Sequence, residues 1–254
     1  MSNQELKENV TAQENDMERY SVIHEKNKRE IVLLRGSGCK WLRCRFCNYH
    51  LDKNADAKKN FELNKEVLNQ VTGLYHKLEV INSGSFIDLD SDTMDYILQT
   101  CLEKQIAELH FECHYMHREQ IAELKSYFQN HNISVKIKIG VETFDALFRE
   151  SYLVKGITTD NPAEIAQSFD EVCLLQGIPG QTAQSMISDI ETGLQYFERV
   201  CVNIMVENGM PIKPDERVIK IFLEQVYPLY KDNERVDILL NNTDFGVGGT
   251  RNDK

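Results

Sequence analysis

Three cysteines, Cys39, Cys44 and Cys47, fall in one short stretch, RGSGCKWLRCRFCNYH, running from Arg35 to His50. Thiolates are soft ligands, suited to iron–sulfur clusters or to zinc. The spacing Cys-x4-Cys-x2-Cys supplies three sulfurs. Three sulfurs can hold three irons of a cubane cluster and leave the fourth iron open. A structural zinc site needs a fourth protein ligand, and His50 is the candidate for it. Unrelated or regulatory thiols are a third reading. The four other cysteines, Cys101, Cys113, Cys173 and Cys201, have no tight metal spacing. Buried packing is the reading for Cys101, Cys173 and Cys201, whereas Cys113 falls beside the candidate site.

The remaining composition narrows the setting. The chain has 254 residues, enough for one large domain with small additions. Its formal net charge is -11. A duplex-binding protein presents a large basic face, and here the basic residues are local, as at Lys40, Arg43 and Arg45. The balance argues for a small ligand and against nucleic acid. Seven cysteines, an odd number, follow a polar start, MSNQELKENV, without a secretion signal. No apolar run approaches membrane-spanning length. Together these features predict a cytoplasmic, reducing location and no membrane partner. They leave the oligomeric state open, a homodimer included.

Elements that could position the cysteines alternate along the chain. Strand signals occur in REIVLLRG, EVINSG, AELHFECH, VKIKIGVE, EVCLLQGIP and RVCVNIMVE. Helical periodicity lies between them, in FELNKEVLNQVTGLYHKL, SDTMDYILQTCLEKQ, REQIAELKSYFQN and TAQSMISDIETGLQYF. PAEIAQSF reads as a short helix. This alternation predicts an α/β fold, a partial (β/α)6 TIM-like barrel. Residues 1–28 read as a helical N-terminal extension and 29–210 as the barrel. Residues 211–254 read as a C-terminal extension packing on or covering the barrel, with a further strand in RVDILLNN. Glycine and polar residues gather at the same end of all six strands, where ligands bind in such folds. Parity sharpens the picture. Val135, Ile137, Ile139 and Val141 share one face of the fourth strand, and Lys136, Lys138 and Glu142 share the other. An interior that polar predicts an open, partial barrel. The alternative places Lys136 and Lys138 at a solvent-facing edge.

The cysteine triad after the first strand, with the glycine-rich strand ends, resembles the radical S-adenosylmethionine superfamily. The resemblance covers roughly residues 30–210. It implies that Cys39, Cys44 and Cys47 hold a [4Fe–4S] cluster whose open iron takes S-adenosylmethionine. It places Phe46 close to the cofactor's adenine. Ser83, Gly84 and Ser85 match the segment that holds the methionine amino end, although its characteristic acidic residue is absent. Gly140 to Thr143, with Glu142, match the segment that reaches the ribose or carboxylate. Gly177, Ile178, Pro179 and Gly180 match the turn along the adenine. The family's usual first cysteine gap is three residues, and here it is four.

INSGSFIDLD, LHFECHYM, KIKIGVETFD and VNIMVENGMPIKPD narrow the resemblance to the archaeosine synthase radical subunit and to the queuine lyases. It implies a carbon–nitrogen lyase that acts on free queuine through a 5'-deoxyadenosyl radical and releases preQ1, 7-aminomethyl-7-deazaguanine, in queuosine salvage. An electron donor for the cluster is implied as a partner. One alternative acts on a 7-deazaguanine within tRNA, and another is a zinc or iron–sulfur scaffold. A guanine-like edge offers adjacent N–H donors that one carboxylate can accept together. Glu112 and Glu207 are the predicted catalytic or substrate carboxylates, with Asp88 and Asp244 as further candidates. Asn203 and Gln176 could meet carbonyl or ribose groups. His110 and His114 share the parity of Glu112 and could line the substrate.

Overall fold

A computed structural model of the chain describes residues 18–240. Eight strands form one sheet in sequence order. They are β1 (Tyr20–Ile23), β2 (Arg29–Leu34), β3 (Lys77–Asn82), β4 (Glu108–Glu112), β5 (Ser134–Glu142), β6 (Glu171–Gln176), β7 (Arg199–Ile204) and β8 (Val236–Leu239). β1 runs antiparallel to β2, and β2 to β8 are parallel. The sheet is mixed, strongly curled and open, a partial barrel flanked by helices. The longer helices are α1 (Ala57–Leu68), α2 (Ser91–Glu103), α3 (Ile121–Gln129), α4 (Ala183–Tyr196) and α5 (Glu216–Ile221). No described helix is long and apolar enough to cross a membrane.

Local chemistry sets the helix ends. Asp56 caps α1 by accepting from the backbone N–H groups of Lys58 and Lys59, and Thr182 with Ser185 forms a capping box at α4. Helical periodicity after Phe61 predicts a longer helix than α1 proves to be. The Glu30 carboxylate accepts N–H groups from Thr72, Gly73 and Leu74. Those groups are therefore committed to a turn, and β3 begins at Lys77.

The helical expectation for residues 1–28 is corrected at Tyr20–Ile23, which is the edge strand β1. Short apolar–polar runs of four residues carry little periodic signal, and pairing with β2 decides this one. The six expected parallel strands become seven, because β8 pairs with β7 in the same sheet. Lys26, in the turn after β1, donates to the carbonyls of Asn233 and Val236 at 2.9 and 3.1 Å and to that of Lys231. This lysine ties the two edges of the open sheet together.

The aliphatic faces of the strands pack outward under the helices. Val135, Ile137, Ile139, Val141, Val172, Leu174, Val200 and Val202 join Leu68, Ile97, Phe128 and Ile190 in the main core. Each such side chain contributes about 1.5–3 kcal/mol by burial. The lumen faces are charged. Arg29 and Lys138 both bind the buried Glu79, and His110 lies between Glu108 and Glu171 at 3.0 and 3.2 Å. Burial opposes ionisation of Glu79, but its two cations outweigh this and hold the carboxyl far below the usual range. Lys138 is thus an interior residue, whereas Lys136 pairs with the exposed Glu198.

Candidate active site

A cavity of about 1200 Å³, its mouth included, occupies the lumen at the carboxyl ends of the strands. Cys39, Cys44 and Cys47 line one side, with Phe46, Ser83, Gly84, His114 and Glu142. Glu112, Lys138, Cys173, Cys201 and Asn203 line the lumen proper. The irregular loop after β2 therefore opens onto the strand ends, as expected for a barrel of this type.

The cysteine loop is fastened on two sides. The Cys39 N–H donates to the Ser83 carbonyl at 3.2 Å, and the Arg45 N–H donates to the Leu153 carbonyl at 3.1 Å. Gly84 is required by the first contact, since a Cβ there would collide with the Asp88 carboxyl and lie 3.0 Å from the Cys39 nitrogen. The longer first gap holds two distinctive residues. Leu42 adopts φ 52°, a left-handed turn unusual for a bulky residue. Trp41 beside it stacks on His114 with ring centroids 5.5 Å apart and donates its indole N–H to the Val154 carbonyl at 2.8 Å. Within this gap, Trp41 anchors the loop to segments after β4 and β5.

Lys155, a residue without a motif in the sequence, proves central. It forms a 2.7 Å ion pair with Glu142 and lies 5.6 Å from the centre of the Phe46 ring. Burial opposes its charge, but Glu142 first and Cys44 next hold its pKa above the ordinary lysine value. Burial pushes the Cys44 thiol up and the Cys47 thiol to about 12, while Lys155 works against both shifts. Only contact between distant segments brings this cation to the thiols.

Of the other predicted residues, Glu112 faces the cavity, and no hydrogen bond to its carboxylate is formed among the described residues. Burial holds it at about 7, against the pull of Lys138. The Ser83 Oγ and the Asn203 Oδ1 are buried without partners among the described residues. Ile178 packs against Phe46 in a small cluster with Leu175 and Met205. Gly177 and Gly180 shape the turn beside it, at φ 88° and 93°. Ser85 sits behind the cavity wall, where its Oγ accepts the His114 N–H at 2.9 Å.

Several residues predicted to meet the substrate lie away from the cavity or are engaged within the chain. Glu207 is exposed outside the cavity, in a 2.5 Å pair with Lys213, because the chain leaves β7 after Ile204 and the strand parity no longer applies. Gln176 points outward, where its amide donates to the Met186 carbonyl. Asp88 is turned to the loop backbone and accepts the Ser85 N–H at 2.8 Å. His110 lies at the lumen floor between its two glutamates. His114 lines the cavity, but both ring nitrogens are engaged: Nε2–H donates to the Lys155 carbonyl, and Nδ1 accepts the Met116 N–H. Burial, with the Lys155 charge, holds His114 at about 4, in keeping with that neutral form. Asp244 lies outside the described residues.

The three cysteine sulfurs do not converge on one point. Among the described residues, no group of three His, Cys, Asp or Glu side chains is gathered tightly enough to hold a metal ion. The donor set nevertheless fits a group that takes one sulfur on each of three metal atoms. Three thiols from one loop border one cavity, and a buried cation lies nearby.

Fold and cavity define a partial α/β barrel with a thiol-bordered site at the strand ends. No protein-family model matches the chain, and no curated protein matches it. Among solved structures, the chain is similar to queuine lyase from Clostridium spiroforme bound to SAM and queuine. The TM-score is 0.86 and the identity 44%, over 92% of this chain and 100% of that one. The chain belongs to the queuine lyase family.

Proposed function

We propose that this chain is a radical S-adenosylmethionine lyase that cleaves the exocyclic carbon–nitrogen bond of free queuine and releases preQ1. The observation that carries the reading is the 44% identity, across the whole length of the matched chain, to a queuine lyase bound to SAM and queuine. The cavity lining agrees with it in chemistry: the three loop thiols, the Phe46 ring and the polar groups of Ser83, Glu112, Glu142 and Asn203 border one space.

Cys39, Cys44 and Cys47 would hold a [4Fe–4S] cluster. When bound, the cluster and S-adenosylmethionine supply a 5'-deoxyadenosyl radical that removes hydrogen from the cyclopentenediol part of queuine. Phe46 and Ile178 offer an apolar wall to the adenine. The unpartnered Ser83 Oγ accepts from the methionine amino group. Glu142 and Lys155 meet the ribose and carboxylate end. Glu112, ionised, accepts two adjacent N–H groups of the 7-deazaguanine edge, and the orphaned Asn203 Oδ1 accepts another. Glu79 keeps Arg29 and Lys138 occupied, which leaves Glu112 open to the substrate.

Anaerobic incubation of the reconstituted chain with S-adenosylmethionine, a reductant and queuine should yield preQ1 and 5'-deoxyadenosine in equal amounts. Turnover with modified tRNA alone would move the substrate to the polymer. A protein that binds zinc and no iron would remove the radical chemistry altogether. The variant Cys44→Ala should lose both iron and turnover. Full turnover in that variant would refute the ligand assignment.

A further inference from the structure

Four cysteines lie outside the loop, and two of them have ordinary roles. Cys101 is buried among apolar residues of the main core. Cys113 donates its S–H to the neighbouring His114 carbonyl at 3.3 Å. Cys173 and Cys201 differ from both. They are direct partners on β6 and β7, and both line the cavity. Their outward-facing neighbours, Val172, Leu174, Val200 and Val202, do the packing under the helices. Gly140, the partner of Cys173 on β5, presents no side chain over it.

The pair also sits at a telling depth. The next lumen residues along the two strands are Leu175 and Asn203, and Leu175 packs against Phe46. At ~3.3 Å rise per residue, the thiols lie roughly 7 Å below that contact. Lys138 lines the same cavity as the two thiols. The facing Cys201 and burial both push the Cys173 thiol up, which keeps it protonated. Two S–H groups thus face the space between the cofactor end of the cavity and the charged floor.

We propose that Cys173 and Cys201 form a hydrogen-atom-donating dithiol that quenches the radical left when the substrate's carbon–nitrogen bond breaks. The inference rests on the radical lyase reading above. Loss of a hydrogen atom from the ring carbon beside the C–N carbon leaves an unpaired electron there. Homolysis of the C–N bond then forms a ring C=C bond and places the unpaired electron on nitrogen. Transfer of a hydrogen atom from a thiol breaks S–H and forms the N–H bond of the released amine. One electron from the one-electron reductant that drives the reaction, and one proton from solvent, restore the thiol.

The test uses the full chain. In reconstituted Cys173→Ser and Cys201→Ser chains, and in the double alanine variant, preQ1 formed per 5'-deoxyadenosine should fall about tenfold or more, with queuine affinity changed less than about twofold. Independently, the cofactor-free wild-type chain treated with dibromobimane should carry a Cys173–Cys201 cross-link in its peptide map. An unchanged product ratio in the double variant, or no such cross-link, overturns the dithiol. If the alanine variant does not fold, the near-isosteric serine variants and the wild-type cross-link decide. Wild-type chain that makes no preQ1 overturns the lyase reading and the dithiol with it. Wild-type turnover matched by the variants overturns the dithiol alone.

Discussion

At the scale of single residues, Glu112 and His114 show how environment separates neighbours on one strand end. Both face the cavity, yet His114 has spent both nitrogens on backbone groups, while the Glu112 carboxylate accepts no hydrogen bond among the described residues. Burial keeps Glu112 protonated up to about 7. An acceptor of two N–H groups must be ionised, so queuine should bind more tightly as the pH rises through about 7. Below that value affinity should fall by up to about tenfold per pH unit. Glu112→Gln should weaken binding roughly 10- to 100-fold and remove the pH dependence, since it forfeits a charge-assisted contact of about 1.5–3 kcal/mol. Calorimetric titration with queuine from about pH 6 to about pH 8 checks both effects. Binding by the wild type that ignores pH would contradict the assigned role.

Among the elements, the cysteine loop depends on segments remote in sequence. Trp41 holds it to His114 after β4 and to the Val154 carbonyl. Stacking contributes about 0.5–1.5 kcal/mol and the indole hydrogen bond about 1 kcal/mol. Trp41→Ala should therefore destabilise the chain by about 2 kcal/mol and loosen the loop. Trp41→Phe should keep the stacking and cost about 1 kcal/mol. Urea unfolding of the cofactor-free chain measures both. Equal losses in the two variants would show that the hydrogen bond dominates, and no loss in either would remove the anchor.

For the molecule as a whole, the notable choice is a barrel interior built on charge. Branched apolar residues usually fill such a lumen. Here Arg29, Glu79, Lys138, Glu108, His110 and Glu171 form the floor, each in an ion pair. Buried pairs contribute little net stability, but removing one partner is costly. His110 offers a pH readout. Burial opposes its charge, yet Glu108 and Glu171 raise it from 6.5 to about 8. A folded value above the unfolded one adds stability that is fully present below about 6.5 and lost as the pH rises through about 8. The amount is on the order of 2 kcal/mol. Urea unfolding at about pH 6 and about pH 9 should show the loss, and His110→Asn should flatten it. A slope that persists unchanged in that variant would assign it to other groups.

Strand and helix alternation, the cysteine spacing and the side-chain parity of β5 are local properties of the chain. The α/β class, the thiol-bordered strand ends and the polar lumen therefore followed from sequence alone. Parity also put His114 on the same face as Glu112, and both line the cavity. It does not reach Glu207, because β7 ends at Ile204, and it puts Gln176 on the outward face with Val172 and Leu174, away from the cavity. The edge strand β1, the role of Lys155, the anchor at Trp41 and the partnership of Cys173 with Cys201 depend on contacts between distant segments. Spacing along a chain encodes what one element presents. Only the curling of the sheet decides which elements share a cavity, and burial there sets the charge each group carries.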